Sequence, residues 1–346
     1  MRNVDLDFQK ALIITDYIDR KYFSGIDVAE GVLLVANPVV YFADARYFYA
    51  VKEKLDGTGI QTVCYKGIQS IADVVKNLRI KKLFLDFEHT TLSEYAEYKK
   101  LKVKLLDGTE KLRAVRRVKS QEEIDNISKA CAIIEKALSM LTPFIVKGVT
   151  ELQVKDRLES LVVELGGEGM AFDTIVAFGK NSAVPHHETG NTVLLDDMAV
   201  LIDTGCAVNG YCSDVTRTYF YGNPDKKFLD TYSAVLKANV FAEENIKEGT
   251  SLKTAFDYAN GVLKEYGLDK YFTHSLGHGL GLEIHESPTL SPKREGFLTE
   301  NTVFTVEPGV YFDGEFGIRI EDTVVIKDGV TKRLFNDGKE LVVLGK

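Results

Sequence analysis

The sequence predicts an α+β protein of two domains: a smaller α/β unit, then a larger one built from two like halves. Three observations carry this. The chain has 346 residues, too many for one typical domain and suited to two. Its first third alternates short apolar runs with helical stretches, the pattern of a layered α/β unit. The remainder repeats one order, two helices and then a hairpin holding two acids, and so suggests an internal duplication. The expected division is residues 1–115 and 116–346.

In the first domain, Gly31 to Val35 and Lys82 to Asp86 read as buried strands. Ala72 to Leu78 and Leu92 to Lys100 read as helices between strands. No glycine-rich phosphate loop occurs here, and the one histidine, His89, reads as structural or exposed. The cluster Lys111, Arg113, Arg116, Arg117 and Lys119 then reads as a solvated linker leading into a helix, since the chain as a whole is acidic.

The second domain opens on a capping box, Ser120 with Glu123, in which each side chain satisfies an orphan amide. Ile124, Ile127, Cys131, Ile134, Leu138 and Leu141 follow on one helical face. A second box, Thr150 with Gln153, starts a helix whose inner face carries Leu158, Leu161 and Leu165, and Gly166-Gly167 stops it. Two more helices are expected near 226–246 and 251–266, with Gly267 as the stop.

Composition narrows the function. A hydrophobic content of 45 % supports a sizeable core, and a net charge of −8 argues against nucleic acid or an anionic membrane as partner. The four cysteines have neither disulfide-framework nor zinc-ribbon spacing; Cys206 and Cys212 alone flank a turn. The first sixteen residues lack the apolar run of a signal peptide, and no apolar stretch approaches the ~18 residues of a membrane span. A cytoplasmic protein is the expectation.

Five residues carry the chemistry: Asp203, Asp214, His278, Glu307 and Glu321. Each lies in an apolar or glycine-rich stretch, where carboxylates are rare unless something offsets their desolvation. A pair of divalent cations would do so, and oxygen ligands with one nitrogen suit Mn²⁺, Co²⁺ or Fe²⁺. The hairpins make convergence testable. A two-residue turn at Asn209-Gly210 pairs residue 203 with 216 and puts Asp203 and Asp214 on one face. A two-residue turn at Asp313-Gly314 would put Glu307 and Glu321 on opposite faces, whereas a three-residue loop, Asp313-Gly314-Glu315, would pair them directly, so an odd-length connection or a bulge is expected. Pro308 cannot donate to a ladder, so the strand should end or kink just after Glu307. His274, His278 and His285 fall within twelve residues, and Pro185-His186-His187 adds a pair upstream.

Taken in order, Ile202-Asp203-Thr204-Gly205, Ser213-Asp214-Val215-Thr216-Arg217-Thr218, His274 to Glu286, Thr305-Val306-Glu307-Pro308-Gly309 and Ile318-Arg319-Ile320-Glu321-Asp322 form a specific set. It resembles the pita-bread metallopeptidases: Xaa-Pro dipeptidase (prolidase), aminopeptidase P and, more distantly, methionine aminopeptidase. Ala43-Asp44-Ala45-Arg46-Tyr47 is similar to the N-domain signature of the prolidase branch. The resemblance covers nearly the whole chain. It implies a creatinase-like N-terminal domain and a C-terminal pita-bread domain with pseudo-twofold halves.

The resemblance also implies roles. Asp203 would chelate one metal, Asp214 and Glu321 would bridge two, and His278 and Glu307 would complete the second. Mn²⁺ or Co²⁺ is expected, with Zn²⁺ or Fe²⁺ as alternatives. A metal-bridging hydroxide would attack a polarised peptide carbonyl. Glu307 would also shuttle the proton, His285 would donate to the oxyanion, and His186 would position substrate. His274 would be a further active-site histidine, and Arg319 a supporting or substrate-side cation. The implied partners are proline-containing dipeptides or short peptides, and a second copy of the chain as a homodimer. One position departs from the pattern: Thr289 stands where many of these enzymes carry an arginine that grips the substrate carboxylate, with Arg294 nearby. The alternatives are a broader metalloaminopeptidase, a creatinase-like hydrolase and a peptide-binding module. The last two usually come with loss of metal ligands, whereas all five positions are filled here.

Overall fold

A computed structural model describes residue 6 and residues 9–345. Residues 1–5, 7 and 8, part of the stretch read for a leader, lie outside the described residues, as does 346. The chain divides into two units, Met1–Arg116 and Arg117–Lys346.

The first unit is a six-stranded mixed sheet flanked by helices. Its strands are β1 (Lys10–Ile14), β2 (Gly31–Val35), β3 (Val40–Ala43), β4 (Gln61–Cys64), β5 (Lys82–Leu85) and β6 (Lys104–Asp107), in the order β4-β3-β2-β1-β5-β6. Helices α1 (Tyr17–Ser24), α2 (Phe48–Lys54), α3 (Ile68–Asn77), α4 (Leu92–Lys99) and α5 (Thr109–Arg117) connect and follow them. Leu12, Ile14 and Leu33 enter one core, and Ala11, Ile13 and Leu34 another. A sheet covered on both faces reads as unbroken apolar runs, which is why these strands show in the sequence.

The basic cluster is not a solvated linker. Lys111, Arg113, Arg116 and Arg117 lie on α5, Lys119 just beyond it, and Arg116 and Lys119 are buried. Arg116 pairs with Asp19 at 2.9 Å, and Lys119 reaches Glu286 at 3.1 Å. Net charge reports the whole surface and says nothing about which lysine finds a buried acid.

The second unit repeats one plan. Helices α6 (Gln121–Leu141) and α7 (Glu151–Glu164) start at the two capping boxes, both formed. Their apolar faces cover a sheet of β7 (Ile175–Phe178), β8 (Met198–Thr204), β11 (Val215–Tyr221) and β19 (Val343–Leu344), ordered β19-β11-β8-β7. The short pair β9 (Ala207–Val208) and β10 (Tyr211–Cys212) closes the first hairpin. Helices α8 (Lys226–Asn245) and α9 (Leu252–Glu265) cover the second sheet in the same way. That sheet holds β12 (Gly277–Gly279), β13 (Glu286–Leu290), β14 (Val303–Val306), β17 (Asp322–Lys327) and β18 (Val330–Arg333), in the order β13-β12-β14-β17-β18. The hairpin β15 (Gly309–Phe312) with β16 (Phe316–Arg319) extends from it. No helix among the described residues is long and apolar enough to cross a membrane.

The hairpin registers are those the turns dictate. Asn209 and Gly210 both have positive φ, and Asp203 pairs with Thr216. All four cysteines are free. Ala207 pairs with Cys212, so Cys206 and Cys212 project to opposite faces of their hairpin.

Gly277 shows why the histidine segment is rich in glycine. A Cβ there would lie 1.9 Å from the Thr305 carbonyl oxygen, so β12 meets β14 only because this side chain is absent. Gly277→Ala should lower folding stability by about 3 kcal/mol or more. Urea unfolding reads this directly, and an unchanged midpoint would contradict the close approach.

Candidate metal centre

Both hairpins deliver acids to the same place because both ladders break there. In the first, the Asp214 N–H is taken by Thr323 Oγ1 (3.2 Å), and the Thr323 hydroxyl donates to the Asp214 carbonyl (2.7 Å). In the second, pairing stops at Val306–Asp322 and resumes at Gly309–Arg319 in unchanged register. Glu307 and Glu321 therefore fall opposite each other, and Glu307 is followed by the break that Pro308 imposes. The Glu307 N–H goes to the Leu276 carbonyl (2.8 Å) and the Glu321 N–H to the Thr216 carbonyl (3.1 Å), which ties the second half to the first.

The structure brings Asp203, Asp214, His278, Glu307 and Glu321 together. Ligand atoms of Asp214, His278 and Glu321 all lie within 4.8 Å of one another. His278 Nε2 is 3.5 Å from both Asp214 Oδ2 and Glu307 Oε1. This is too long for a hydrogen bond, but it suits two donors each about 2.1 Å from one cation. His278 Nδ1 donates to the Gly279 carbonyl (3.1 Å), which leaves a lone pair on Nε2 facing the acids. Asp203 Oδ1 and Asp214 Oδ1 are buried acceptors with no hydrogen-bond partner. Buried oxygens in that state call for a cation, so the residues present fit a metal centre.

Electrostatics agree. Burial, and then repulsion from Asp203 and Glu307, pushes the Asp214 carboxyl well above the usual range. Burial and repulsion from Asp214 do the same to Glu321. Glu307 is also raised, chiefly by burial. The protein supplies one guanidinium against this charge. Arg319 is buried and donates to Asp203 Oδ2 (2.7 Å), Thr216 Oγ1 (2.9 Å) and the Tyr311 hydroxyl (2.8 Å). It is fully engaged in holding the site together and does not point outward as a substrate-side cation. Thr216 donates in turn to Glu321 Oε2 at 2.7 Å.

The other histidines separate by environment. His274 Nδ1 donates to the Ser275 carbonyl, and Nε2 accepts from the Tyr311 hydroxyl at 2.9 Å. Burial, helped by Arg319, lowers its pKa to about 4, so it is neutral near pH 7. With both nitrogens engaged, it serves position more than proton transfer. His285 is exposed and meets His278 edge-on at 4.4 Å. His186 is exposed, and a charge on it would repel charges on both His274 and His285. His187 is used internally, 3.0 Å from the fully buried Glu151. Thr289 sits directly opposite His278 in the β12–β13 pair. Arg294 is exposed, beyond the end of β13.

Tyr311, Thr216, Thr305 and Thr323 were not foreseen. Threonine in a strand carries no functional signal in a sequence, because strand propensity already explains it. The alternation Tyr311/Arg319 across the second hairpin could have suggested the tyrosine.

Duplicated halves with an acidic centre between two hairpins define a pita-bread hydrolase. The model for metallopeptidase family M24 matches residues 125–328, and that for the creatinase/prolidase N-terminal domain matches residues 7–118. The chain is 35 % identical to an Xaa-Pro dipeptidase of Pyrococcus furiosus, covering 93 % of this chain and 92 % of the other. Among solved structures it resembles an Xaa-Pro dipeptidase from Bacillus anthracis, with a TM-score of 0.91, 32 % identity and 96 % and 95 % coverage. An X-Pro aminopeptidase from Thermotoga maritima gives a TM-score of 0.85, 33 % identity and 97 % coverage of both chains. The chain belongs to metallopeptidase family M24.

The raised carboxyls make a pH prediction. Above about pH 4 the unfolded chain releases its carboxyl protons. Burial and neighbouring acids make folded, metal-free Asp214 and Glu321 keep theirs to higher pH, so each contributes stability that is lost as pH rises from the unfolded carboxyl range through the folded value. Their contribution to the stability of the metal-free protein should therefore fall as pH rises above about 4, and Asp214→Asn should remove part of that fall. Melting temperatures of wild type and variant against pH check this; the same profile in both would contradict it.

Proposed function

We propose that this chain is an exopeptidase that hydrolyses the bond between an N-terminal residue and proline, using two divalent cations. Asp203, Asp214, His278, Glu307 and Glu321 would hold them. The observation that carries this reading is the pair of unpartnered buried oxygens, Asp203 Oδ1 and Asp214 Oδ1, in a cluster of mutually repelling acids. The relatives named Xaa-Pro dipeptidase and X-Pro aminopeptidase support the substrate class.

Bound there, two cations supply Lewis acidity and a water acidic enough to act as a nucleophile near neutral pH. The chain's own groups do the rest. Asp214 and Glu321 reach the centre from opposite hairpins, which suits a bridging role. Glu307 has a raised pKa, as a proton carrier between nucleophile and leaving nitrogen requires. Proline's nitrogen bears no hydrogen within the bond, so that proton must be delivered. His285, at the exposed rim, can donate an N–H to a carbonyl oxygen gaining negative charge. His186, exposed and near enough to His274 and His285 to repel their charges, would position substrate. His274 and Arg319 hold Tyr311 and Asp203 in line.

Oxygen-rich ligation favours Mn²⁺ or Co²⁺ over Zn²⁺. Thr289, small and opposite His278, leaves the substrate's carboxyl end without the arginine grip seen in many of these enzymes, so peptides longer than two residues are admitted in this reading. A cytoplasmic homodimer completes the proposal.

Hydrolysis of Met-Pro, Ala-Pro, Ala-Ala and Ala-Pro-Ala should be followed after loading with Mn²⁺ or Co²⁺, with metal-stripped protein as control. Metal-dependent cleavage of the proline peptides is expected, and Ala-Ala should be spared. Asp214→Asn and Glu321→Gln should drop to the metal-stripped rate with an unchanged circular dichroism spectrum. Retained metal-dependent turnover in either variant would sink its bridging role.

A further inference from the structure

Glu307 and Glu321 stand at a gap in their own hairpin. Val306 and Ile320 each come one residue before a glutamate: Val306 is the last paired residue of its strand, opposite Asp322, and Ile320 faces Pro308, which has no N–H to give its carbonyl. Both carbonyls turn to the same side chain. Asn239, fully buried on α8, donates through Nδ2 to the Val306 carbonyl (2.8 Å) and the Ile320 carbonyl (3.2 Å). Each peptide plane entering a glutamate is thus fixed from both sides: by Asn239 at its oxygen, and by Leu276 or Thr216 at its N–H.

The amide's orientation is itself fixed. Its Oδ1 accepts from Lys339 Nζ at 2.6 Å, and an ammonium can only donate. Lys339 comes from the segment after β18, far along the chain from α8. It also donates to Glu243 Oε2 (2.6 Å) and forms an ion pair with Asp322 Oδ2 (2.9 Å). Asp322 directly follows Glu321. Its other oxygen takes Arg217 at 2.8 Å, and Arg217 also donates to the Glu321 carbonyl at 2.6 Å. Backbone on both sides of Glu321 is therefore held from behind by groups that contribute no ligand.

We propose that Asn239 and Lys339 are positioning residues for the metal centre: the carboxamide supplies the donor that Pro308 lacks, and the ammonium of the C-terminal segment locks it. Together they set the spacing at which Glu307 and Glu321 hold cations. This rests on the reading that the five residues bind two metal ions. At the Pro308–Ile320 pair the hairpin keeps only one long bond, from the Ile320 N–H to the Pro308 carbonyl (3.4 Å), and without support it could widen or shear there, each carboxylate moving with its peptide plane. Loosening the groups that hold metal ligands from behind typically costs about 10- to 100-fold in metal affinity.

The test uses the full chain, stripped of metal and titrated with Mn²⁺ by calorimetry, with metal-free melting temperature measured alongside. Asn239→Leu removes both donors at similar volume. Lys339→Met combined with Glu243→Gln removes the lock without stranding Glu243 as a buried charge, and stands in if Asn239→Leu does not fold. Wild type should bind two ions. Either variant should bind at least one of them about 10- to 100-fold more weakly, and at saturating metal should lose kcat with KM for Ala-Pro unchanged. A lower metal-free melting temperature with wild-type Mn²⁺ affinity and stoichiometry would overturn the proposal, since the tie would then serve folding alone. Wild-type protein that binds no Mn²⁺ would instead defeat the metal reading, and the proposal with it.

Discussion

Four carboxylates forced into one buried place are the constraint on which the rest of the second unit depends. Each loses hydration, and each raises the free energy of its neighbours. Asp203, Asp214, Glu307 and Glu321 are answered within the chain by Arg319, by threonine hydroxyls and by the His278 imidazole. That is less positive charge than negative. A fold that keeps such a deficit suits a ligand that supplies the balance, as the two divalent cations proposed above would.

The arrangement explains why the duplication is useful. Each half places two acids on a hairpin, and the candidate metal cluster takes Asp214 from one half and His278 and Glu321 from the other. The Glu321 N–H bonds to the Thr216 carbonyl, and the Thr216 hydroxyl bonds to the Glu321 carboxylate. The seam between halves is therefore made of the residues that carry the chemistry. Behind it lies a second charged layer in which Asp322 is fully buried against Arg217, Arg333 and Lys339. These three cations, shared with Asp337 and Glu243, hold the Asp322 carboxyl well below the usual range despite its burial. Adjacent residues thus live in different fields: Glu321 among acids that raise its pKa, Asp322 against cations that lower it.

Local rules made much of this legible. Capping boxes at Ser120 and Thr150 gave helix starts, because they use only residues three apart. The Asn209-Gly210 turn gave the pairing of Asp203 with Thr216, and a three-residue loop gave the opposition of Glu307 and Glu321, because strand register follows from turn length. The basic cluster before residue 120 was misread, since the burial of Lys119 depends on Glu286, more than 160 positions away. Asn239 and Lys339 gave no signal, being an ordinary helical asparagine and an ordinary tail lysine until each is seen with its partners.

The sequence by itself determined the fold class, the registers of both hairpins, and which acids and histidines sit in places that disfavour charge. Those depend on spacing along the chain, and spacing is local. Only the tertiary structure decided that Arg319 faces Asp203, that Tyr311 joins Arg319 to His274, and that Asn239 bridges the backbone before two glutamates. Those are contacts between segments about 8 to 116 positions apart. Their partners are chosen by how helices and sheets pack, and hydrogen-bonding side chains as common as tyrosine and asparagine leave no periodic trace of that choice.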